Sequence, residues 1–289
     1  MKNRNTVSIS TGGFKDLTGL QAAKFLQKND IHFIELSGGK YSNNQLKELL
    51  KLRHEMSLRV HNYFPPPKLP FVLNLASNDD KILKKTISHI KNSINLAKQF
   101  GGEYYSFHAG FRLDPNFKLL GKKFKKIKIT NREECLKNFT KQVLKISNFA
   151  KKNGIKILIE NNVCTQKNFD RFGENPFLLT NYLEVEKFFK LMPNNVRLLI
   201  DVAHLKVSAK TEKIDPIKSL MKMNRYVGGY HFSDNDGKID SNKPFKSNSW
   251  FFPYIKKNLS YYSAEIYNEN PKKLRQQIKI INKKIFSKK

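Results

Sequence analysis

Cysteine is nearly absent from this chain. The 289 residues contain two, Cys135 and Cys164, which excludes a disulfide framework and fits a reducing compartment. Long apolar runs are missing as well. No stretch approaches the roughly 18 apolar residues needed to span a bilayer, and the opening MKNRNTVSIS carries no apolar signal region. A cytoplasmic protein is the expectation. Linkers rich in glycine, proline or serine and low-complexity segments are also lacking, so residues 1–289 are expected to form one domain. Acidic residues are few, with 24 Asp and Glu against 54 Lys and Arg, for a formal net charge of +30.

That imbalance invites a polyanion as partner. The lysines, however, are spread along every predicted helix rather than gathered on one element. Such spreading, beside abundant Asn and Ile, is what AT-rich codons would produce. The one dense basic run is GKKFKKIKIT (121–130), which hints at a phosphorylated or acidic ligand. Nucleic acid is not favoured as a partner, and nothing reads as a membrane span. No dinucleotide- or nucleotide-binding loop is recognisable.

What is present is a strict alternation of strand-like and helix-like segments. Strands are expected at 7–10, 32–36, 57–61, 104–108, 155–160, 196–201, 227–232 and 261–266. Amphipathic helices are expected near 17–29, 44–54, 131–153 and 181–192, another entered at Asp215-Pro216, and a last one capped by Asn270-Pro271. The longest begins at Ser77 as its N-cap and ends at Gly101-Gly102. Strands such as IKILIE and VRLLID are apolar on both faces, the mark of a parallel sheet covered by helices. Eight such units close most naturally into a single (β/α)8 barrel, a TIM barrel of the α/β class.

Four of the strands end on a chemically active residue: Glu160, Asp201, His231 and Glu265. A charged group at the end of a buried strand is costly unless paired or bound to a metal. Alternate barrel residues point inward, and the C-terminal rim carries the active site. Glu160 shares its face with Leu158 and Lys156, and Asp201 with Leu199 and Arg197, so the acids lie at the top and the basic residues at the bottom. One imidazole and three carboxylates form a mixed nitrogen and oxygen set suited to Mn, Mg, Co or Zn. His61, His108 and His204 also fall at or just beyond strand ends, and Asp234, Asp236 and Asp240 crowd the loop after His231. On an ideal strand His204 would face away from the site, and it converges only if the chain turns after Asp201. For His61, His108, His204 and Asp240, a ligand or substrate contact competes with ordinary loop hydrogen bonding.

As a set, FHAG (107–110), LIEN (158–161), LIDVAH (199–204), YHFSDNDGKID (230–240) and AEI (264–266) resemble the xylose-isomerase-like barrel superfamily. That group includes sugar and sugar-phosphate isomerases, epimerases and endonuclease IV. The resemblance implies that Glu160, Asp201, His231 and Glu265 ligate one divalent metal. It also implies that Glu160 and Glu265 move a proton between carbons of a sugar through a metal-stabilised enediolate. His108, His204 and Arg112 would then contact substrate hydroxyls or a phosphate. The chain is similar to endonuclease IV at His61, His108, Glu160, Asp201, His204, His231, Asp240 and Glu265, which match its trinuclear zinc cluster. PFVLNLAS (70–77) also resembles a segment of that enzyme. Asn242 departs from it, standing where the nuclease pattern places a histidine, and an amide is a poor zinc ligand. A third reading is a barrel that binds a sugar without catalysis, which has no need of two opposed carboxylates. Trp250, Phe251 and Phe252 are expected to act as a lid or as a contact in a homo-oligomer.

Overall fold

The computed structural model describes residues 7–119 and 128–286. Eight strands pair in parallel and in chain order: β1 (Ser8–Ser10), β2 (Phe33–Ser37), β3 (Ser57–His61), β4 (Tyr104–His108), β5 (Lys156–Glu160), β6 (Val196–Asp201), β7 (Val227–Phe232) and β8 (Tyr262–Ala264). β8 pairs back onto β1 and closes the barrel expected from the sequence. The helices around it are α1 (Gly19–Gln27), α2 (Gln45–Leu52), α3 (Asp80–Gln99), α4 (Arg132–Lys152), α5 (Gln166–Phe172), α6 (Tyr182–Phe189), α7 (Val202–Thr211), α8 (Pro216–Met223) and α9 (Pro271–Ile285).

Alternation along each strand sorts the side chains into two environments. Ile34, Val60, Phe107, Ile159, Ile200 and Tyr230 belong to the large apolar core shared with the helices, and each is at most 2% exposed. The residues between them face the axis and are mostly polar. Ser106, Glu160, Asp201, His231 and Ser263 are wholly buried there. Beneath the acids, Leu158, Leu199 and Tyr261 form a separate small apolar plug. Lower still, Lys156 is exposed and Arg197 half-buried, as their shared faces with Glu160 and Asp201 require. Two consecutive glycines in β7 make room for the plug. The register against β6 shifts at this point, and a Cβ on Gly229 would lie 2.8 Å from Cβ of Tyr261.

Local chemistry sets the element ends. Thr18 and Gln21 form a reciprocal capping box at α1, and Asn131 caps α4 through its side chain. The N-cap of α3 is Asp79, not the expected Ser77, because the Asp79 carboxylate accepts from the amides of Lys81 and Ile82. The Ser77 hydroxyl is used one step earlier, accepting from the Asp79 amide and donating to Asp114. Several elements differ from the sequence reading, among them α5, which stands in the connection after β5 where only a loop was expected. A helix, α7, follows β6 directly where only a loop was expected, and the connection after β7 holds a short 3-10 turn (Phe252–Tyr254).

The aromatic segment 250–252 is not a lid. Phe251 is fully buried and Phe252 is 8% exposed, and both pack on Phe232 at 5.5 and 6.1 Å between ring centroids. Burying such a side chain is worth roughly 1.5–3 kcal/mol, which a mobile cover would forgo. Trp250 is half-buried and meets Phe251 edge-on at 5.9 Å. Of the basic run, 121–127 lie outside the described residues. Among the described residues no helix is long and apolar enough to cross a membrane.

Candidate metal centre

At the C-terminal end of the barrel the four strand-end residues meet. Ligand-type atoms of Glu160, Asp201, His231 and Glu265 all lie within 4.8 Å of one another, and all four residues are buried. His231 Nδ1 is 3.4 Å from Glu160 Oε1 and 3.2 Å from Glu265 Oε2. Both oxygens of Glu160, Asp201 Oδ2 and His231 Nδ1 have no hydrogen-bond partner although they are inaccessible to solvent. Unpartnered buried acceptors cost on the order of 1–3 kcal/mol each. Their concentration in one cluster, with a nitrogen and oxygen donor set, fits a divalent cation.

Asp201 shows how the fold aims these atoms. Its Oδ1 caps α7, accepting from the amides of Ala203 and His204 at 2.7 Å each, while Oδ2 faces the cluster. The backbone turn that this cap begins is what brings His204 round to the site. His204 Nδ1 then lies 3.4 Å from Glu160 Oε1 and its Nε2 3.1 Å from Asp240 Oδ2. Asn161 staples the neighbouring strand end, accepting from the Asp201 amide and donating to its carbonyl. Asn162 donates to the carbonyls of Ala109, Gly110 and Leu178, bracing the loops around the mouth.

His61 and His108 come to the other oxygen of Glu160. His61 Nε2 is 3.4 Å and His108 Nδ1 3.6 Å from Glu160 Oε2, and these three residues form a second metal-competent group. Glu160 is thus faced by four imidazoles. Burial alone would raise its carboxyl, but the charges of His108, His231 and His61 hold it well below the usual range. Burial would likewise depress His204 and His231, yet both are pushed well above the ordinary histidine value. Asp201 and Asp240 do this for His204, and Glu35 and Glu160 for His231. Asp201 is raised to about 7, chiefly by burial, and His108 is lowered to about 4 by the same cause.

The other sequence candidates fall outside this cluster. Arg112 is buried, and its guanidinium donates to the carbonyls of Thr130 and Asn175 and to Glu174 at 2.5 Å. It locks two loops together instead of turning to the mouth. Asp234 accepts from Lys206, and Asp236 caps its own turn. Asn242 turns its amide to Ser233 and Asp240.

One buried acid was missed in the sequence. Glu35, on β2, is wholly buried and its Oε2 accepts from His231 Nε2 at 3.0 Å and from the Tyr261 hydroxyl. Burial would raise its carboxyl, but His231, His61 and Tyr261 bring it down to about 2. A carboxylate behind a histidine fixes the ring's orientation and sharpens its free nitrogen as a ligand. The available signal was an acid inside the apolar run HFIEL.

The profile of the family described as xylose isomerase-like TIM barrel matches residues 21–283. Among solved structures, a D-tagatose 3-epimerase-like protein is similar at 19% identity and a TM-score of 0.68, covering 96% of this chain and 98% of that one. An L-ribulose 3-epimerase is similar at 15% identity and 0.64, covering 98% and 87%. A Thermus thermophilus protein, TTHB071, in crystals soaked with zinc chloride, is similar at 17% identity and 0.62, covering 96% and 98%. At these identities the likeness is one of fold. No curated protein sequence matches the chain.

Proposed function

The chain belongs to the xylose isomerase-like TIM barrel family, and from that membership we propose that it is a divalent-metal-dependent sugar or sugar-phosphate isomerase or epimerase. One observation carries the reading: four buried side chains, three of them with unpartnered ligand-type atoms, converge at the chemically active end of the barrel. Glu160, Asp201, His231 and Glu265 would hold Mn, Co, Mg or Zn. Bound there, the cation supplies a Lewis acid that polarises the substrate carbonyl and acidifies the adjacent carbon.

The protein's own groups do the rest. Glu160 and Glu265 remove a proton from carbon and return it to the same or the neighbouring carbon. Glu265 is braced for this by the Tyr267 hydroxyl, which donates to its Oε1 at 2.8 Å. His108, the most accessible imidazole of the cluster with 28% of its side chain exposed, suits a substrate hydroxyl. Two of the similar solved structures bear the names of sugar 3-epimerases, which supports the same substrate class.

The experiment is solvent-deuterium incorporation into a panel of ketoses and ketose phosphates by metal-loaded protein. We expect about one cation per chain, exchange into at least one sugar, and loss of exchange in Glu265→Gln. No exchange across the panel would remove the proposal. A second reading, zinc-dependent cleavage of DNA at abasic sites, draws support from the additional group formed by His61, His108 and Glu160. Incision of an abasic duplex with about three zinc ions per chain would favour it. The amide of Asn242, committed to Ser233 and Asp240, speaks against a complete third zinc site.

A further inference from the structure

Behind the cluster a continuous line of hydrogen bonds joins two imidazoles across the barrel. His61 Nδ1 lies 2.9 Å from Ser106 Oγ, and Ser106 Oγ lies 2.9 Å from the Tyr261 hydroxyl. That hydroxyl donates to Glu35 Oε2, which is 3.0 Å from Nε2 of His231. None of the five residues is more than 1% exposed, so each hydrogen must be placed within the line.

The hydrogens can be placed in one order. A carboxylate only accepts, whereas a phenol or an alcohol has a single hydrogen to give. Tyr261 gives its hydrogen to Glu35, so toward Ser106 it can only accept. Ser106 therefore donates to Tyr261, and toward His61 it too can only accept. The hydrogen between Ser106 and His61 must then sit on His61 Nδ1. From the other end, the hydrogen between Glu35 and His231 must sit on His231 Nε2.

We infer that Glu35, Tyr261 and Ser106 are positioning residues that keep a hydrogen on the rear nitrogen of both His61 and His231, so that any lone pair these rings offer is on the front nitrogen. The front atoms, His61 Nε2 and His231 Nδ1, are the ones 3.4 Å from the two oxygens of Glu160. The opposite tautomer of His61 would aim an N–H at the cluster and could neither bind a cation nor accept from a substrate hydroxyl there. The inference deepens the sugar reading above and rests on it for its chemical purpose, but the hydrogen placement itself needs no substrate.

The test is long-range proton–nitrogen NMR of histidine-labelled protein without substrate, metal-free at about pH 8 and again loaded with zinc. His61 is assigned from the signals lost in His61→Gln. In wild-type protein His61 should carry its hydrogen on Nδ1. In Tyr261→Phe, Ser106 has no phenol to donate to and turns its hydrogen toward His61, so the ring should switch to its Nε2–H form. Ser106→Ala should leave a mixture of the two forms at His61 while His231 keeps its Nε2–H. Wild-type protein with the His61 hydrogen on Nε2, or a Tyr261→Phe variant that folds and keeps the wild-type form, would overturn the inference. Because no sugar is present, failure of the deuterium exchange above would leave this result standing.

Discussion

Substituting Glu35→Gln removes one negative charge behind His231 and leaves the shape of the side chain unchanged. The glutamine carbonyl can occupy the place of Oε2 and still accept from His231 and Tyr261. Its amide then falls where Oε1 sits, an atom that has no partner. Each charge-assisted bond that becomes neutral loses about 1 kcal/mol or somewhat more, and two are affected. Removing a carboxylate that orients a metal-binding histidine costs roughly 10–100-fold in metal affinity, or about 1.4–2.8 kcal/mol. The two magnitudes agree. Competition with a calibrated chelator, using zinc or manganese, measures the change directly. An affinity within about twofold of wild type, in protein with an unchanged circular dichroism spectrum, would refute the assignment of Glu35 as the group that tunes His231. The substitution has an acid signature too. Glu35 is held at about 2 against an ordinary 4.5, so in metal-free protein it contributes stability above about pH 4.5 that is lost as pH falls toward 2. The variant should not show that loss.

Three further outcomes are expected. Cation uptake should release protons and weaken as pH falls through about 7, because Asp201 is raised to about 7 and His231 well above its usual value; calorimetry in buffers of different ionisation enthalpy counts the protons, and a buffer-independent enthalpy would contradict this. Gly229→Ala should destabilise the fold by about 1–3 kcal/mol, since its Cβ would stand 2.8 Å from Cβ of Tyr261; an unchanged denaturant midpoint would contradict that packing. His89 stacks on Tyr63 and is lowered from 6.5 to about 4 by burial, so stability present above pH 6.5 is lost as pH falls toward 4, by up to about 3 kcal/mol. His89→Phe should flatten the urea midpoint across that window, and an equal slope in both proteins would count against it.

The barrel and the strand-end quartet were legible because each rests on a local pattern. Glu160 and Asp201 close apolar runs whose alternation gives their direction, and the order of eight strands leaves few ways to close a sheet. Glu35 was not legible, because its partner His231 lies 196 positions away and only barrel closure brings β2 to β7. α7 was missed for another reason: its cap is the last residue of a strand, so no separate start signal precedes it. Arg112 was expected to contact substrate hydroxyls or a phosphate, but Glu174, 62 residues on, takes its charge. Phe251 and Phe252 are buried by the outward aromatic face of β7, which the sequence of their own loop does not reveal.

Asp201 ends a strand and begins a helix with the same carboxylate, one oxygen tethered by two amides and the other left facing its fellow acids. Its free oxygen is therefore oriented when the chain folds, and on the proposed reading the entropy of that ordering would not be charged to an arriving ion. The same arrangement keeps like charges crowded together in advance. A cation bound as proposed would relieve that crowding, so the scaffold would convert stored repulsion into grip.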